Sequence, residues 1–290
     1  MVDAAGPGSR LHWSSAPPAL QPWIFGFVER DEPAPRGVQR LLPELRASVQ
    51  VHTGDRFWLR LPGSDWQGVP RVGLWTPRTA PCEGYATGRI RAYAVGLTSC
   101  GVRAMRFAAS TRPLGGVLDL ESIDEALASS LNCRPGESFS VWMQRVVSLL
   151  AACFRSAPQP EKLDVALTSL AQMRTVSECA AEAGLSEGHF RRRFAQRHGY
   201  SPKTYQRIVR VDRLIRRLHE RPWEEDPGPA HDDGFSDQAH SIREFRAVTG
   251  LTPGEYRRRK RGSDLSLRSV RIDEELREAD LPGLSSDIQS

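Results

Sequence analysis

The hydrophobic pattern changes character about halfway along the chain. Over residues 17–122, short apolar runs are broken by Gly and Pro, and apolar and polar positions alternate in Val69–Trp75 and Arg89–Leu97. Such alternation predicts half-buried antiparallel strands. Two further runs, Ser48–His52 and Arg56–Leu61, also predict strands. The first half of the chain is therefore expected to be rich in β-structure.

A helical period takes over in the second half of the chain. Residues Ser122–Ser130 and Ser140–Phe154 already predict helices, and from Glu161 to about Arg261 the helical pattern dominates. The predicted fold class is α+β, with a β-rich domain followed by an all-α domain. The predicted parts are a disordered 1–16, a β-containing sensor or dimerisation domain 17–155, a linker 156–160, an all-α domain 161–261 and a flexible acidic tail 262–290.

The all-α part contains an internal repeat, with its two copies 51 residues apart. Arg192 and Arg243 fall at the same offset in both copies. Two copies are too few for a solenoid, which needs at least three. Two similar units suggest a protein that holds one periodic ligand at two points, and DNA is the obvious candidate. The matched residues are His189, Phe194, Gly199, Ser201, Pro202 and Tyr205 in the first copy, and His240, Phe245, Gly250, Thr252, Pro253 and Tyr256 in the second.

The first copy carries the signals of a helix-turn-helix. Thr175 is an N-cap that forms a capping box with Glu178. Gly184 suits the left-handed position that follows a helix, and Ser186 caps the next helix, Glu187–His198. A helix, a short turn with Gly and a second helix form a motif whose second helix can enter the DNA major groove.

A long helix is predicted to join the two units. Ser201 and Pro202 suit its N-cap and first position, and its apolar stripe continues to about Glu220. About 18 residues at 1.5 Å each give ~27 Å. A connector of this length could hold two recognition helices near one DNA turn apart, ~34 Å.

Charge supports a nucleic-acid partner more through its distribution than through its total of +5. Residues 187–221 carry eleven Lys and Arg against three Asp and Glu, whereas residues 262–290 carry three against seven. A basic stretch of this kind is typical of a nucleic-acid site. Of the 40 basic residues, 37 are Arg. That excess is explained by a GC-rich coding sequence, although Arg also suits phosphate and guanine contacts.

Candidate enzyme chemistry is sparse. The five cysteines are an odd number without CxxC spacing, so neither a disulfide framework nor a zinc site is indicated. His12 and His52 are the only histidines before residue 160, too few for a metal site, and no nucleophile or phosphate-loop motif occurs. We therefore expect no catalytic residue, no metal and no cofactor. Five of the seven tryptophans precede residue 76, where they could pack a core or line an aromatic small-molecule pocket.

No targeting segment is visible in the sequence. The N-terminus lacks the apolar stretch of a signal peptide, and no apolar run approaches 18 residues. A cytoplasmic protein without a membrane partner is the expectation.

The C-terminal residues resemble the AraC/XylS family of bacterial transcription regulators. The similarity covers about residues 161–261 and rests on TVSECAAEAGLSEGHFRRRF, GYSPKTYQRIVRVDRLIRRL and GFSDQAHSIREFRAVTGLTPGEYRR. It implies two helix-turn-helix motifs joined by a long helix, with both recognition helices in successive major grooves. It also implies an N-terminal effector-binding or dimerisation domain, commonly a cupin-like barrel.

The resemblance assigns DNA contacts residue by residue. Phosphate contacts, which position without specifying sequence, fall to Ser201 and Lys203. The base-facing positions are Gly188, Arg191 and Arg192 in the first motif, and Gln238, Ala239, Ile242 and Arg243 in the second.

The second unit departs from the family pattern in two places. Its supporting helix is interrupted at 226–233 by Pro227, Gly228 and Pro229, and proline in a helix interior costs ~3 kcal/mol. Ser241 replaces the apolar residue equivalent to Phe190, leaving a smaller core side chain and a hydroxyl without an obvious partner. We therefore expect the second motif to be less stable and the first to dominate specificity, and whether the second is fully formed is left open.

Two functional hypotheses remain. The favoured one is a sequence-specific transcription regulator that binds double-stranded promoter DNA, contacts RNA polymerase, responds to a small-molecule effector and forms a homodimer. The alternative is a small-molecule sensor, or an enzyme-like N-terminal domain, with only weak or non-specific DNA binding.

Overall fold

A computed structural model describes residues 9–34, 37–105, 115–220, 234–260 and 269–271. Its N-terminal part is built from two antiparallel sheets. The strands are β1 Arg10–Ser15, β2 Ile24–Pro33, β3 Gln39–Leu41, β4 Ala47–His52, β5 Phe57–Arg60, β6 Gln67–Gly68, β7 Val72–Trp75, β8 Cys82–Ala86, β9 Arg89–Leu97, β10 Val117–Asp119 and β11 Ser269–Arg271. A six-stranded sheet has the order β1-β2-β9-β4-β7-β10, and a five-stranded sheet has the order β11-β3-β8-β5-β6.

Alternating side chains separate two apolar layers. In β4, Val49 and Val51 pack into the core formed with the helices α1 (Ser99–Ala104), α2 (Glu125–Leu131) and α3 (Phe139–Cys153). Trp142 of α3 is fully buried in that core, and its indole donates to the Leu131 carbonyl at 2.8 Å. A smaller apolar cluster, which includes Phe57 and Trp75, lies on the other side. The predicted α+β class with an antiparallel N-terminal sheet is confirmed.

The prediction of disorder over residues 1–16 is wrong for residues 10–15. These form β1, an edge strand paired in continuous register with β2, from Arg10 opposite Asp31 to Ser15 opposite Gly26. The sequence gives little sign of this strand because most of its side chains remain exposed. An edge strand is held by backbone hydrogen bonds to its neighbour, and the pattern of hydrophobic and polar residues gives no sign of those bonds. Residues 1–8 lie outside the described part of the chain.

Six helices follow in the described C-terminal part. Their bounds are α4 Lys162–Ala171, α5 Val176–Ala183, α6 Glu187–His198, α7 Pro202–Glu220, α8 Gln238–Thr249 and α9 Pro253–Lys260. The sequence predicts the bounds of α6 and the residues that cap both α5 and α6. Thr175 and Glu178 form the expected capping box, and Gly184 and Gly199 have φ of 71° and 82°. Strong local capping explains why these boundaries were accessible from sequence.

The N-terminal part and the helical part of the chain are connected by contacts as well as by the linker. Trp23 and Cys100 both donate to the carbonyl of Pro158, so the expected linker 156–160 is bound to the N-terminal part. After α9 the chain pairs β11 with β3, from Ser269 opposite Leu41 to Arg271 opposite Gln39. The expected flexible tail is therefore wrong for residues 269–271, because their backbone completes a sheet edge. The rest of the expected tail lies outside the described residues.

Candidate DNA-binding surface

The first recognition helix is fixed by its apolar side. Phe190 and Phe194 of α6 lie one turn apart, and both are fully buried against α4 and α5. The tight turn between α5 and α6 is closed by the Leu185 amide, which donates to the Ala180 carbonyl at 2.9 Å. Ser186 caps α6 through the His189 amide. These contacts hold α6 by one face and leave the opposite face to solvent.

That solvent face carries the three residues assigned to the first motif. Gly188, Arg191 and Arg192 are all exposed. A Cβ placed on Gly188 would meet only the Arg192 guanidinium, 4.0 Å away, so the helix surface is open there. Arg191 forms an ion pair with Glu187 one turn earlier on the same face. Two guanidinium groups and an open backbone position are thus presented side by side.

The helix predicted from sequence to be the second recognition helix, α8, has the same general arrangement. Phe245 is fully buried against α7, and Asp237 caps the helix by accepting from the His240 amide at 2.7 Å. Four assigned residues are exposed on α8, and Ile242 among them is apolar and 38% exposed. An exposed apolar side chain suits a thymine methyl group. The assigned residues are Gln238, Ala239, Ile242 and Arg243.

Both recognition helices pack against the connecting helix α7. Its apolar stripe, from Ile208 to Leu218, is buried in the same core as Phe245. The two residues assigned to phosphate, Ser201 and Lys203, are exposed at the start of α7, where Ser201 accepts from the Thr204 amide. The structure thus places the assigned residues on two helices and on the start of the helix that joins them.

The expectation of an unsatisfied Ser241 hydroxyl is wrong. Ser241 is buried, but its hydroxyl donates to the Gln238 carbonyl at 2.8 Å within α8. A bond to the preceding turn satisfies the donor without a partner from elsewhere. The interrupted segment 226–233 lies outside the described residues, so the expected weakness of the second supporting helix stays a prediction.

Ion pairs that brace the recognition helices were missed from sequence. Glu244 of α8 accepts from Nε and Nη2 of Arg210 on α7, both at 2.9 Å. Arg210 also lies over the ring of Phe235, 5.9 Å from its centroid. The only sign of this contact in the sequence was Glu244, the single carboxylate on a helix whose other charged residues are basic. These contacts fix α8 on the connecting helix.

A second brace joins three elements at one carboxylate. Asp164 of α4 accepts from Arg103 of α1 and from Arg197 in the last turn of α6, each at 2.9 Å. Ser99 donates to it at 2.7 Å. Burial would raise the pKa of Asp164, but the hydrogen bonds from Arg197, Ser99 and Arg103 outweigh burial and lower that pKa. This cluster, the Asp164 brace, connects the N-terminal part to the first recognition helix.

Stability should depend on pH through a buried histidine at the end of α6. The ring of His198 packs at a tilt against that of Phe194, with 4.3 Å between the ring centroids, and its Nε2 donates to the Leu163 carbonyl at 3.2 Å. Burial lowers the pKa of His198 to about 4. A histidine kept neutral in the fold stabilises it above the unfolded pKa, and that contribution is lost as pH falls from about 6.5 to about 4. A lowering of this size corresponds to about 3 kcal/mol.

The comparison of two variants on one helix isolates this effect. In urea titrations between pH 7 and pH 4, His198→Phe should lose less unfolding free energy than the wild type. Exposed His189, on the same helix, supplies the matched substitution His189→Phe as a control for the effect of introducing Phe. Burial also lowers the pKa of His52 to about 4, so a residual slope remains in every variant. Identical slopes for wild type and His198→Phe would contradict the assignment.

A cavity of about 620 Å³ lies between the two parts of the chain. Phe25 and Leu97 line it from the N-terminal side, and Leu167, Tyr205 and Ile208 line it from the helical side. Arg103, Asp164 and Arg197 of the brace also reach its wall. Its volume falls in the range of small-molecule sites, about 300–1,000 Å³.

Residues 179–259 match the helix-turn-helix domain family. The match begins within α5 and ends within α9, so it includes the whole of α6, α7 and α8. The C-terminal region is an AraC-type helix-turn-helix domain. The resemblance drawn from sequence is confirmed for this region, which is a DNA-binding domain of the kind found in transcription regulators.

Solved structures of ToxT from Vibrio cholerae are similar to this chain at low identity. One shares 9% identity at a TM-score of 0.48 and covers 80% of this chain and 97% of that chain. Wild-type ToxT bound to an unsaturated fatty acid shares 10% identity at a TM-score of 0.44, covering 80% and 94%. No curated protein sequence matches the chain.

None of the helices in the described part of the chain is long and apolar enough to cross a membrane. Within the same residues, no three His, Cys, Asp or Glu side chains are grouped so as to hold a metal ion.

Proposed function

We propose that the AraC-type domain binds DNA sequence-specifically through two helix-turn-helix units placed in adjacent major-groove segments. The observation that carries the proposal is the pair of helices α6 and α8. The helix α6 is fixed by buried Phe190 and Phe194, and α8 by buried Phe245. Each helix exposes Arg on the opposite face and packs on the same connecting helix. At 1.5 Å per residue, the 19 residues of α7 span about 28 Å. That length is close to the spacing of successive major grooves, about 34 Å.

The exposed side chains of each unit have separate roles in this proposal. Arg191 and Arg192 read base edges in the first segment, where an Arg fork suits guanine O6 and N7. Open space at Gly188 lets the helix approach the groove closely. In the second segment, Gln238 and Arg243 read base edges, while Ala239 and Ile242 contact methyl groups. Ser201 and Lys203 hold phosphates and so set the orientation.

The first unit is proposed to dominate specificity. Its recognition helix exposes three consecutive arginines, Arg191–Arg193, and an open position at Gly188. The second unit places Ala239 and Ile242 at two of its four assigned positions, and these can make apolar contacts only. Hydrogen-bonded readout discriminates base pairs more strongly than contact with a methyl group.

Genome-wide footprinting of the tagged protein tests the proposal. The expected result is a sharp, asymmetric motif about two helical turns long, with the better-defined half under α6. Binding in vitro should also be sequence-dependent at a salt concentration that suppresses non-specific association. Uniform occupancy with a steep salt dependence would instead support the alternative, a sensor whose DNA binding is only electrostatic.

A small-molecule effector is proposed for the cavity between the two parts of the chain. Its wall is shared by sheet, linker-side and helical residues, so an occupant would contact both the N-terminal part and the AraC-type domain. Footprints that change between growth conditions would support an effector, and Leu167→Trp, which fills the cavity, should remove the change. Condition-independent footprints would argue against it. RNA polymerase at the promoter and a second copy of this chain are the proposed protein partners.

A further inference from the structure

A leucine of the N-terminal part completes the core of the second DNA-binding unit. The chain leaves β3 at Leu41, and the next residue, Leu42, is 1% exposed. Leu42 belongs to the cluster of buried residues that contains Ile215, Leu218 and Phe245. The two leucines therefore diverge, because Leu41 packs with the N-terminal cluster around Phe57.

The segment that carries Leu42 is held from the N-terminal side. Backbone hydrogen bonds join Glu44 and Arg78 in both directions, at 3.0 and 2.6 Å. Leu45, at the end of the segment, packs against both helical clusters, that of the first unit and that of the second. Residues 40–45, here called the wedge segment, thus lie where the two units meet and are tied to the sheet at the same time.

Arg40 adds a contact to the second recognition helix itself. A Cβ placed on Gly250, the C-cap of α8, would lie 2.7 Å from Nη1 of Arg40. The guanidinium therefore lies directly against the C-terminal end of α8. That end of a helix carries partial negative charge, which a cation stabilises.

The two units differ in how their cores are closed. Within the described residues, the cluster of the first unit is built from α4, α5, α6 and Tyr200, with Leu45 at its margin. In the second, the fully buried Leu42 packs among residues of α7, α8 and α9. A displacement of the wedge segment would therefore move the surroundings of α8 more than those of α6.

We infer that Leu42 is a positioning residue for DNA recognition: it sets the placement of the second recognition helix relative to the first, with Arg40 supporting the same helix from its C-terminal end. The effect of Leu42 on DNA recognition rests on the proposed two-unit binding. Its effect on the placement of α8 in the free protein does not depend on that proposal. Leu42 touches no DNA in this scheme and acts through the core under α8.

Hydrogen exchange of the full-length protein without DNA gives the first test. Leu42→Ala should accelerate exchange of the α8 amides at least about tenfold while those of α6 change little, because removal of a buried leucine leaves a cavity beneath one helix. Leu42→Met, which keeps the volume, should restore protection. Leu41→Ala is the matched control and should leave α8 protected. Equal acceleration in α6 and α8, or no change in α8, would overturn the inference.

A second measurement separates positioning from stability. With the DNA site found by footprinting, affinity is compared between the natural half-site spacing and a spacing lengthened by one base pair. The wild type and Leu42→Met should discriminate strongly, and Leu42→Ala should discriminate several-fold less. A variant that binds both sites more weakly by the same factor would contradict positioning. If no sequence is bound specifically by the wild type, the proposed function fails, and the exchange result still decides the role of Leu42.

Discussion

Replacing Asp164 by alanine should lower the free energy of unfolding by about 3–5 kcal/mol, the cost of removing one partner from a buried ion pair. The carboxylate is 6% exposed and accepts from Arg103 and Arg197, whose side chains are 20% and 11% exposed. Without Asp164, both guanidinium groups lose this shared acceptor. Arg197 retains a hydrogen bond to Glu161, although that carboxylate is about half exposed and screened by water.

Urea titration at pH 7 measures this loss, with Glu187→Ala as the control. Glu187 pairs with Arg191 on the surface, and exposed pairs contribute about 0–1 kcal/mol. Because the pKa of Asp164 is held below its ordinary value of about 4, its contribution is present at neutral pH and is lost as pH falls below that value. The unfolding free energy of Asp164→Ala should therefore converge with that of the wild type only in strong acid. A loss below 1 kcal/mol at pH 7 would show that the Asp164 brace is not a stabilising element.

Arg192→Ala should weaken binding to the specific site by about ten- to a hundred-fold, since a bidentate Arg–guanine contact discriminates by about 1–3 kcal/mol. Arg243→Ala, at the matching position of the second unit, should weaken it less. Both side chains are exposed, so neither change should alter the unfolding free energy by more than about 0.5 kcal/mol. Affinity is measured by titrating labelled DNA at fixed salt.

The neighbouring Arg193→Ala distinguishes base reading from general electrostatics. Arg193 is exposed on the same helix but is not assigned to a base, so its loss should weaken specific and non-specific DNA equally. Arg192→Ala should instead reduce the ratio of specific to non-specific affinity. A larger loss of affinity for Arg243→Ala than for Arg192→Ala would contradict the dominance of the first unit.

The parts of the structure that were predictable from sequence depend on local interactions. The helix α6 was located by Ser186 and Gly199, which lie at its ends and act within one turn. Strand β9 was found with its observed bounds because buried positions alternate with more exposed ones along most of its length. In both cases the residues that decide the structure are close together in the chain.

The missed features join residues far apart in sequence. Asp164 meets Arg103 across 61 positions, and Leu42 enters a core formed by residues beyond 207. A single sequence does not show which distant residues will contact each other, so neither contact could be predicted from it. The edge strand β1 was missed for a related reason, since its partner β2 is recognised through backbone pairing.

The wedge segment has a consequence for the exchange of modules between regulators. A chimera that joined a foreign sensor to this AraC-type domain at the linker 156–160 would lose Leu42 and Leu45, although neither lies near the junction. The helical half would then have an unfilled core, and a failed chimera could be mistaken for lost signalling. The residues needed to complete the core of the DNA-binding half therefore do not all lie on one side of a junction at residues 156–160. A chimera should therefore include residues 40–45 of this protein at the matching position of the foreign sensor domain.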